Sequence, residues 1–216
     1  MAKVDPVRRA EIGREKRART RAQLVAAASA LYARQSANTV TVDDIVNEAG
    51  LAKGTFYGHF LSIDSLTSEI ADQLLQSFDE LLQPVRLSLD DPGMRIAFGC
   101  SSFITKALDD TQWATLVARM LSSAPRGAET ARQRLLEDMN RLAKDLKGSQ
   151  ASADLSTMIV FGIMLQVLHS IGEDRFTVYD REPTIRAILR AIGLGNGRID
   201  NIIEHSPPAM EAMAAG

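Results

Sequence analysis

The stretch TVDDIVNEAGLAKGTFYGHF, residues 41–60, decides how the chain is read. Thr41 precedes an apolar series, Val42, Ile45, Val46 and Ala49, spaced as one face of a helix requires. Asp44 stands three residues after Thr41, as in a capping box with Asp in place of the usual Glu or Gln, and the acids suit the positive helix end. Gly50 is the residue type that ends a helix in the left-handed conformation. Leu51 buries under that turn, and a further short helix opens near Ala52 with Phe56 and Phe60 inward at i and i+4. Leu24, Ala27, Ala28 and Leu31 predict an earlier helix from about Thr20 to Arg34. Three short helices with a tight Gly turn between the last two make a helix-turn-helix.

With the two phenylalanines inward, Lys53, Gly54, Thr55, Tyr57 and His59 lie elsewhere on the last helix. A major groove about 12 Å wide admits a helix whose first residues meet base edges. Lys53 suits guanine O6 or N7, Thr55 a base, a phosphate or a thymine methyl, and Gly54 lets the backbone come close. Tyr57 and His59 suit phosphate oxygens, which set register. Each also has a plainer use: Tyr57 closing the small core, His59 capping local carbonyls, Lys53 as a solvated surface residue. The string as a whole, not one residue, points to DNA.

Charge is distributed unevenly. Residues 1–21 hold eight Lys/Arg against three acids, a balance of +5, while the 216-residue chain carries −2, leaving −7 for the remainder. A basic arm on an acidic body suits a local polyanion, or is a solvated tail. The most apolar stretch, MIVFGIMLQVL at 158–168, falls short of a membrane span and includes Gln166. The N-terminus has no apolar segment of the secretory kind. Cys100 is the only cysteine, so no internal disulfide forms, and Phe98 and Phe103 beside it suggest a buried thiol. These features fit a cytoplasmic protein.

The region from Arg21 to Leu66 resembles the DNA-binding domain of the TetR family of transcriptional regulators, on LVAAASALY, TVDDIVNEAGLAKGTFYGHF and SIDSL, about a fifth of the chain. The resemblance implies a homodimer that binds operator DNA and releases it when a small molecule enters the C-terminal domain. By motif position it puts Thr41, Lys53, Gly54, Thr55, Tyr57 and His59 against DNA. The chain departs from the pattern at several positions. Ile63 replaces a common phosphate-contacting Lys, Ala52 a capping Ser or Thr, Val46 an Ala and Ser36 a Gly. Gly58, read as inside the recognition helix, costs about 1 kcal/mol relative to Ala there.

The rest reads as helix after helix. Ser62 caps a long helix lined by Leu66, Ile70, Leu74, Phe78 and Leu81 or Leu82, with Pro84 just beyond its end. Asp91 and Pro92 open the next, and helices are expected at 94–108, 111–121, 128–147, 151–171 and 182–192. Gly148, Gly172 and Gly193 stand at helix ends, SSAPRG at 122–127 is a loop, and after Gly193 at most a short helix near 199–204 precedes a loose end. RFTVYD, 175–180, alternates weakly without a partner strand. The expectation is therefore an all-α chain. It comprises a flexible basic arm (1–19), a helix-turn-helix domain (20–62), a larger helical ligand-binding and dimerisation domain (63–195) and a tail (196–216).

The segment from Ala151 to Ile171 is apolar nearly all round, so it is covered on more than one side, either inside a monomer or at a two-fold interface. The resemblance implies the latter, a four-helix interface made with the segment from Glu182 to Ile192, where Ile185, Ile188, Leu189 and Ile192 supply the apolar face. Phe98, Phe103, Trp113, Met120, Met139, Met158, Phe161 and Met164 are candidates to line a cavity for a hydrophobic compound, with Gln166 and then His169 as polar partners. The same spacing serves a plain core, and Gln166 equally suits a dimer interface. His59, His169, His205 and Cys100 lack metal-ligand spacing, and no phosphate loop or nucleophile elbow is present. No catalytic residue, metal or cofactor is expected.

Overall fold

The computed structural model describes residues 6–35, 39–123, 128–145 and 152–208. Ser36, residues 124–127 of the expected SSAPRG loop, Gly148 and the last eight residues lie outside them. Among the described residues there are ten α-helices and no strand. The alternating RFTVYD segment contributes a single 3-10 turn, Val178–Asp180.

The N-terminal head comprises α1 (Pro6–Arg34), α2 (Val42–Ala49) and α3 (Lys53–Tyr57). The capping box forms as the sequence requires: the Asp44 N–H donates to Thr41 Oγ1 at 3.2 Å, and the Thr41 N–H donates to Asp44 Oδ2 at 2.9 Å. The Thr41 hydroxyl, which donates to Asp44 Oδ2, and then the Thr41 N–H hold the Asp44 carboxyl below the usual range. Gly50 takes φ 65°, and Leu51 N–H closes the turn on the Val46 carbonyl at 2.8 Å. Leu24, Ala28 and Tyr32 of α1, Ile45 and Val46 of α2, Phe56 and Phe60 pack together and onto Leu66 and Ile70. Tyr32 and Thr67 share a buried hydroxyl–hydroxyl bond of 2.6 Å.

Two boundaries in this region differ from the sequence expectation. α1 begins at Pro6 rather than near Thr20. Residues 10–19 are exposed, so no apolar period marks them, but Pro suits the first helical position and the Glu, Lys, Arg and Ala that follow favour a helix. α3 ends at Tyr57, and Gly58 stands at its C-cap with φ −72°. Gly58 is therefore outside the helix interior, and the interior cost expected for it does not arise.

α4 (Ile63–Ser88) leads from head to body, with Ser62 and Ser65 forming its capping box. It runs through Pro84 instead of stopping before it. Pro84 forfeits one N–H bond. The last turn is nevertheless anchored, because Arg86 pairs with Asp138 at 2.5 Å. Leu66, Ile70, Leu75, Phe78 and Leu82 form its buried face, whereas Leu81 is 56% exposed.

The body adds α5 (Pro92–Asp109, capped by Asp91), α6 (Thr111–Ser123), α7 (Glu129–Asp145), α8 (Ala153–Gly172), α9 (Arg181–Ala191) and α10 (Asn196–His205). α8 packs on α6 and α7, and α9 on α5. α10 buries Ile199 and Ile202 in the main core, so part of the expected tail is a packed helix. α8, 20 residues with mean hydropathy 1.7, is long and apolar enough to cross a membrane, beyond what the 158–168 stretch alone suggested. Its Val160, Met164, Val167 and Leu168 lie in the helical core. α6 also reaches the head: Met120 is buried in the head core, and Arg119 Nη1 donates to the Tyr32 and Gln35 carbonyls at 3.2 and 3.4 Å.

Candidate DNA-reading face and effector cavity

α3 rests on the buried Phe56, and the ring of Phe60 lies 5.8 Å from it. Its outer residues are those the groove argument selects. Lys53 is exposed, and its Nζ donates to Asp43 Oδ2 at 2.9 Å, a bond that raises the ammonium pKa and ties α3 to α2. A Cβ at Gly54 would meet no atom within 4 Å, so the bare backbone there is not demanded by the protein's own packing. Thr55 is half-buried, and Tyr57 is 57% exposed with its ring edge-on to Phe56. His59 is half-buried; that burial, then the charges of Arg17 and Arg21, lower its pKa and leave a neutral imidazole at neutral pH. Thr41 is exposed, but its hydroxyl is committed to the α2 cap, donating to Asp44 Oδ2 at 2.6 Å.

Two residues missed by sequence reasoning hold this face from behind. Arg17 Nη2 donates to the Gly58 carbonyl at 3.1 Å and Arg21 Nη1 to the His59 carbonyl at 2.8 Å. Arg21 also binds Glu69 of α4 through two bonds, one of them 3.0 Å, and its guanidinium lies 4.2 Å from the Phe60 centroid. Cations at the carbonyl end of α3 complement its dipole. The spacing of Arg14, Arg17 and Arg21, three then four residues apart, was the available signal.

The body holds a half-open cavity of about 140 Å³ between α4, α5, α6, α7 and α8. Leu75, Phe78, Phe103, Leu121, Phe161 and Met164 are among its apolar walls. Cys100 also lines it, and burial pushes the thiol pKa up to about 12, so it is a thiol rather than a nucleophile. Asp79 and Arg86 of α4, Arg95 of α5 and Asp138 of α7 form a charged end.

Of the sequence candidates, the cavity brings together Phe103, Phe161 and Met164. Phe98 sits in an adjoining cluster with Phe78 and Leu82, and Trp113 lies behind the wall, edge-on to Phe103 with ring centroids 5.2 Å apart. Met139 is plain core, and Met120 belongs to the head. Gln166 is exposed, its Nε2 3.5 Å from Ser170 Oγ; Met158 is 63% exposed, and His169 Nε2 lies 3.2 Å from Ser122 Oγ. None of these last three lines the cavity. The charged end was missed because its residues read as ordinary surface charges; Asp79 and Arg86, two helical turns apart, were the only hint.

Residues 24–70 match the profile described as bacterial regulatory proteins, tetR family. That segment carries the DNA-binding domain of the TetR family. It is 29% identical over 117 residues to an uncharacterized HTH-type transcriptional regulator from Haemophilus influenzae. That match covers 54% of this chain and 57% of the relative, so the chain spans little more than half the length of that protein. Its fold is that of the RolR structure in complex with resorcinol, with TM-score 0.69, 23% identity, and coverage of 91% of this chain and 99% of the other. The transcriptional regulator FadR from Bacillus subtilis in complex with stearoyl-CoA is more distant, with TM-score 0.56, 16% identity, and coverage of 80% and 98%. Among the TetR-pattern departures, Ile63 is half-buried against the head core, Val46 is buried within it, and Ala52 makes no side-chain cap to α3. Among the described residues no group of His, Cys, Asp and Glu is arranged to hold a metal.

Proposed function

We propose that this chain is a cytoplasmic, dimeric, ligand-responsive transcriptional regulator of the TetR family, a repressor that leaves its operator when a small apolar compound enters the body. The observation that carries this reading is the outward display of Lys53, Gly54 and Tyr57 on a head whose core is shared with α4 and α6 of the cavity-bearing body. Residues 20–62 act as the reading domain, and residues 63–195 as the binding and pairing domain. Operator titration by fluorescence anisotropy tests it, using DNA from upstream of the protein's own gene. Binding that ignores sequence overturns it.

Lys53→Ala is expected to relax base preference at one position by about 1–3 kcal/mol. Tyr57→Phe is expected to weaken binding to every sequence alike. The reverse pattern in competition titrations exchanges the two roles. Arg14 lies one turn before Arg17 and two before Arg21 on the same side of α1. This supports a phosphate contact from the basic N-terminal segment that offsets the missing Lys at Ile63. Arg14→Ala should then reduce the slope of log K against log salt by about 0.9. An unchanged slope removes the arm from the interface.

Pairing is assigned to α8 and α9, with one change from the sequence reading. Ile185, Ile188, Leu189 and Ile192 are buried in their own subunit, so they are not the faces offered to a partner. On α8 the outward face is Leu155, Met158, Gly162 and Gln166, and on α9 it includes Pro183, Ala187 and Arg190. Two heads in one dimer suit half-sites about 34–36 Å apart. A ligand that favours another head spacing lowers operator affinity, and operator lowers ligand affinity by the same factor. The cavity supports a small effector: about 150 Å³ of apolar space accepts benzene in an engineered protein. Resorcinol, named for RolR, is of that size, whereas the stearoyl-CoA named for FadR is far larger.

A further inference from the structure

Four ionised side chains close one end of an otherwise apolar cavity. Arg86 Nη2 donates to Asp138 Oδ2 at 2.5 Å and to the Arg134 carbonyl at 3.1 Å, while its Nη1 lies 3.6 Å from Asp79 Oδ1. Arg95 Nε donates to the Leu89 carbonyl at 2.6 Å, and its Nη1 lies 3.6 Å from Asp138 Oδ1. A separation of 3.6 Å makes an ion pair but not a hydrogen bond. Asp138, with its side chain 5% exposed, therefore offers an acceptor beside a guanidinium donor, and neither satisfies the other.

The balance of charge narrows what can enter. The wall holds two carboxylates and two guanidiniums. A third cation, Arg134, is not part of the wall; its buried Nη1 faces Asp79 and spends its charge there. An anionic ligand brings its charge against Asp79 and Asp138 as well as toward arginines already paired. A purely apolar ligand displaces water from Asp138 and Arg95 and replaces no bond. A neutral group that donates and accepts at once satisfies both sides.

We propose that the cavity takes a neutral single-ring phenol, its hydroxyl donating to Asp138 Oδ1 and accepting from Arg95, its ring held among Phe103, Phe161 and Met164. The inference rests on the reading of this cavity as the effector site and names the chemistry of that effector. The volume suits one ring, and the paired charges set the requirement for a hydroxyl.

Calorimetry of the full-length protein without DNA, against catechol, benzoate and toluene, tests it. Catechol should bind at one site per protomer, with benzoate and toluene at least tenfold weaker. Asp138→Asn should weaken catechol about tenfold and tighten benzoate, a gain that misfolding cannot produce. Gly99 lines the cavity, and a Cβ there meets no atom within 4 Å. Gly99→Leu should therefore fill the space, keep the thermal midpoint and abolish catechol binding. Benzoate or toluene binding as tightly as catechol overturns the proposal, as does undiminished catechol binding by the folded Gly99→Leu protein. Operator anisotropy run alongside separates the two readings. Catechol that binds without releasing operator removes the regulatory role and leaves the ligand class standing. Failure of catechol to bind a protein that still holds operator removes the ligand class alone.

Discussion

Phe56→Ala should destabilise the head by about 3–5 kcal/mol, the range for removing a buried aromatic ring. Phe56 is fully buried, meets the Phe60 and Tyr57 rings, and is the only buried side chain of the five-residue α3. So short a helix has little stability of its own. Its orientation depends on this ring and on the bonds from Arg17 and Arg21 at its far end. Chemical denaturation followed by circular dichroism measures the loss. Operator affinity should fall with the fraction of heads that remain folded, because only the competent state binds. Tyr57→Phe, which leaves the core intact, should keep the denaturation midpoint. Equal loss of stability in both variants would mean that Phe56 does not anchor α3.

The second large effect concerns the charged end of the cavity. Arg86→Met should cost about 3–5 kcal/mol, because it strips a hydrogen-bonded partner from a carboxylate buried away from water. Arg86 bonds Asp138 at 2.5 Å and the Arg134 carbonyl at 3.1 Å and also approaches Asp79, so one change frees two acceptors and removes a counter-charge from Asp79. Asp138→Leu alone should be of similar size, since it leaves Arg86 and Arg95 short of a counter-charge. The two together should cost less than their sum, and the double-mutant cycle measures by how much. Additive losses would mean that the pair contributes nothing as a pair.

Local chemistry was legible in the sequence wherever a residue type answers a local need. Thr41 with Asp44, Gly50, Ser62 and Asp91 each stand where a helix begins or ends, and each acts there. Long-range partners were not legible. The isoleucines of α9 carry the period of a buried face, but the period does not say whether α5 of the same chain or a second subunit covers it. Residues 10–19 of α1 are exposed and so leave no periodic trace. Met120 looks like any Met on an apolar face, and only the arrival of α6 at the head assigns it to that core. Asp79, Arg86, Arg95 and Asp138 come from three helices, and no spacing along the chain announces that they meet.

The last turn of α6 has a mechanical consequence. Arg119, Met120 and Leu121 are consecutive: the first clasps the end of α1, the second plugs the head, and the third is a pane of the cavity. No flexible joint separates them. A guest that pushes Leu121 aside therefore tugs the reading end through a stiff lever one turn long, in parallel with whatever travels down α4.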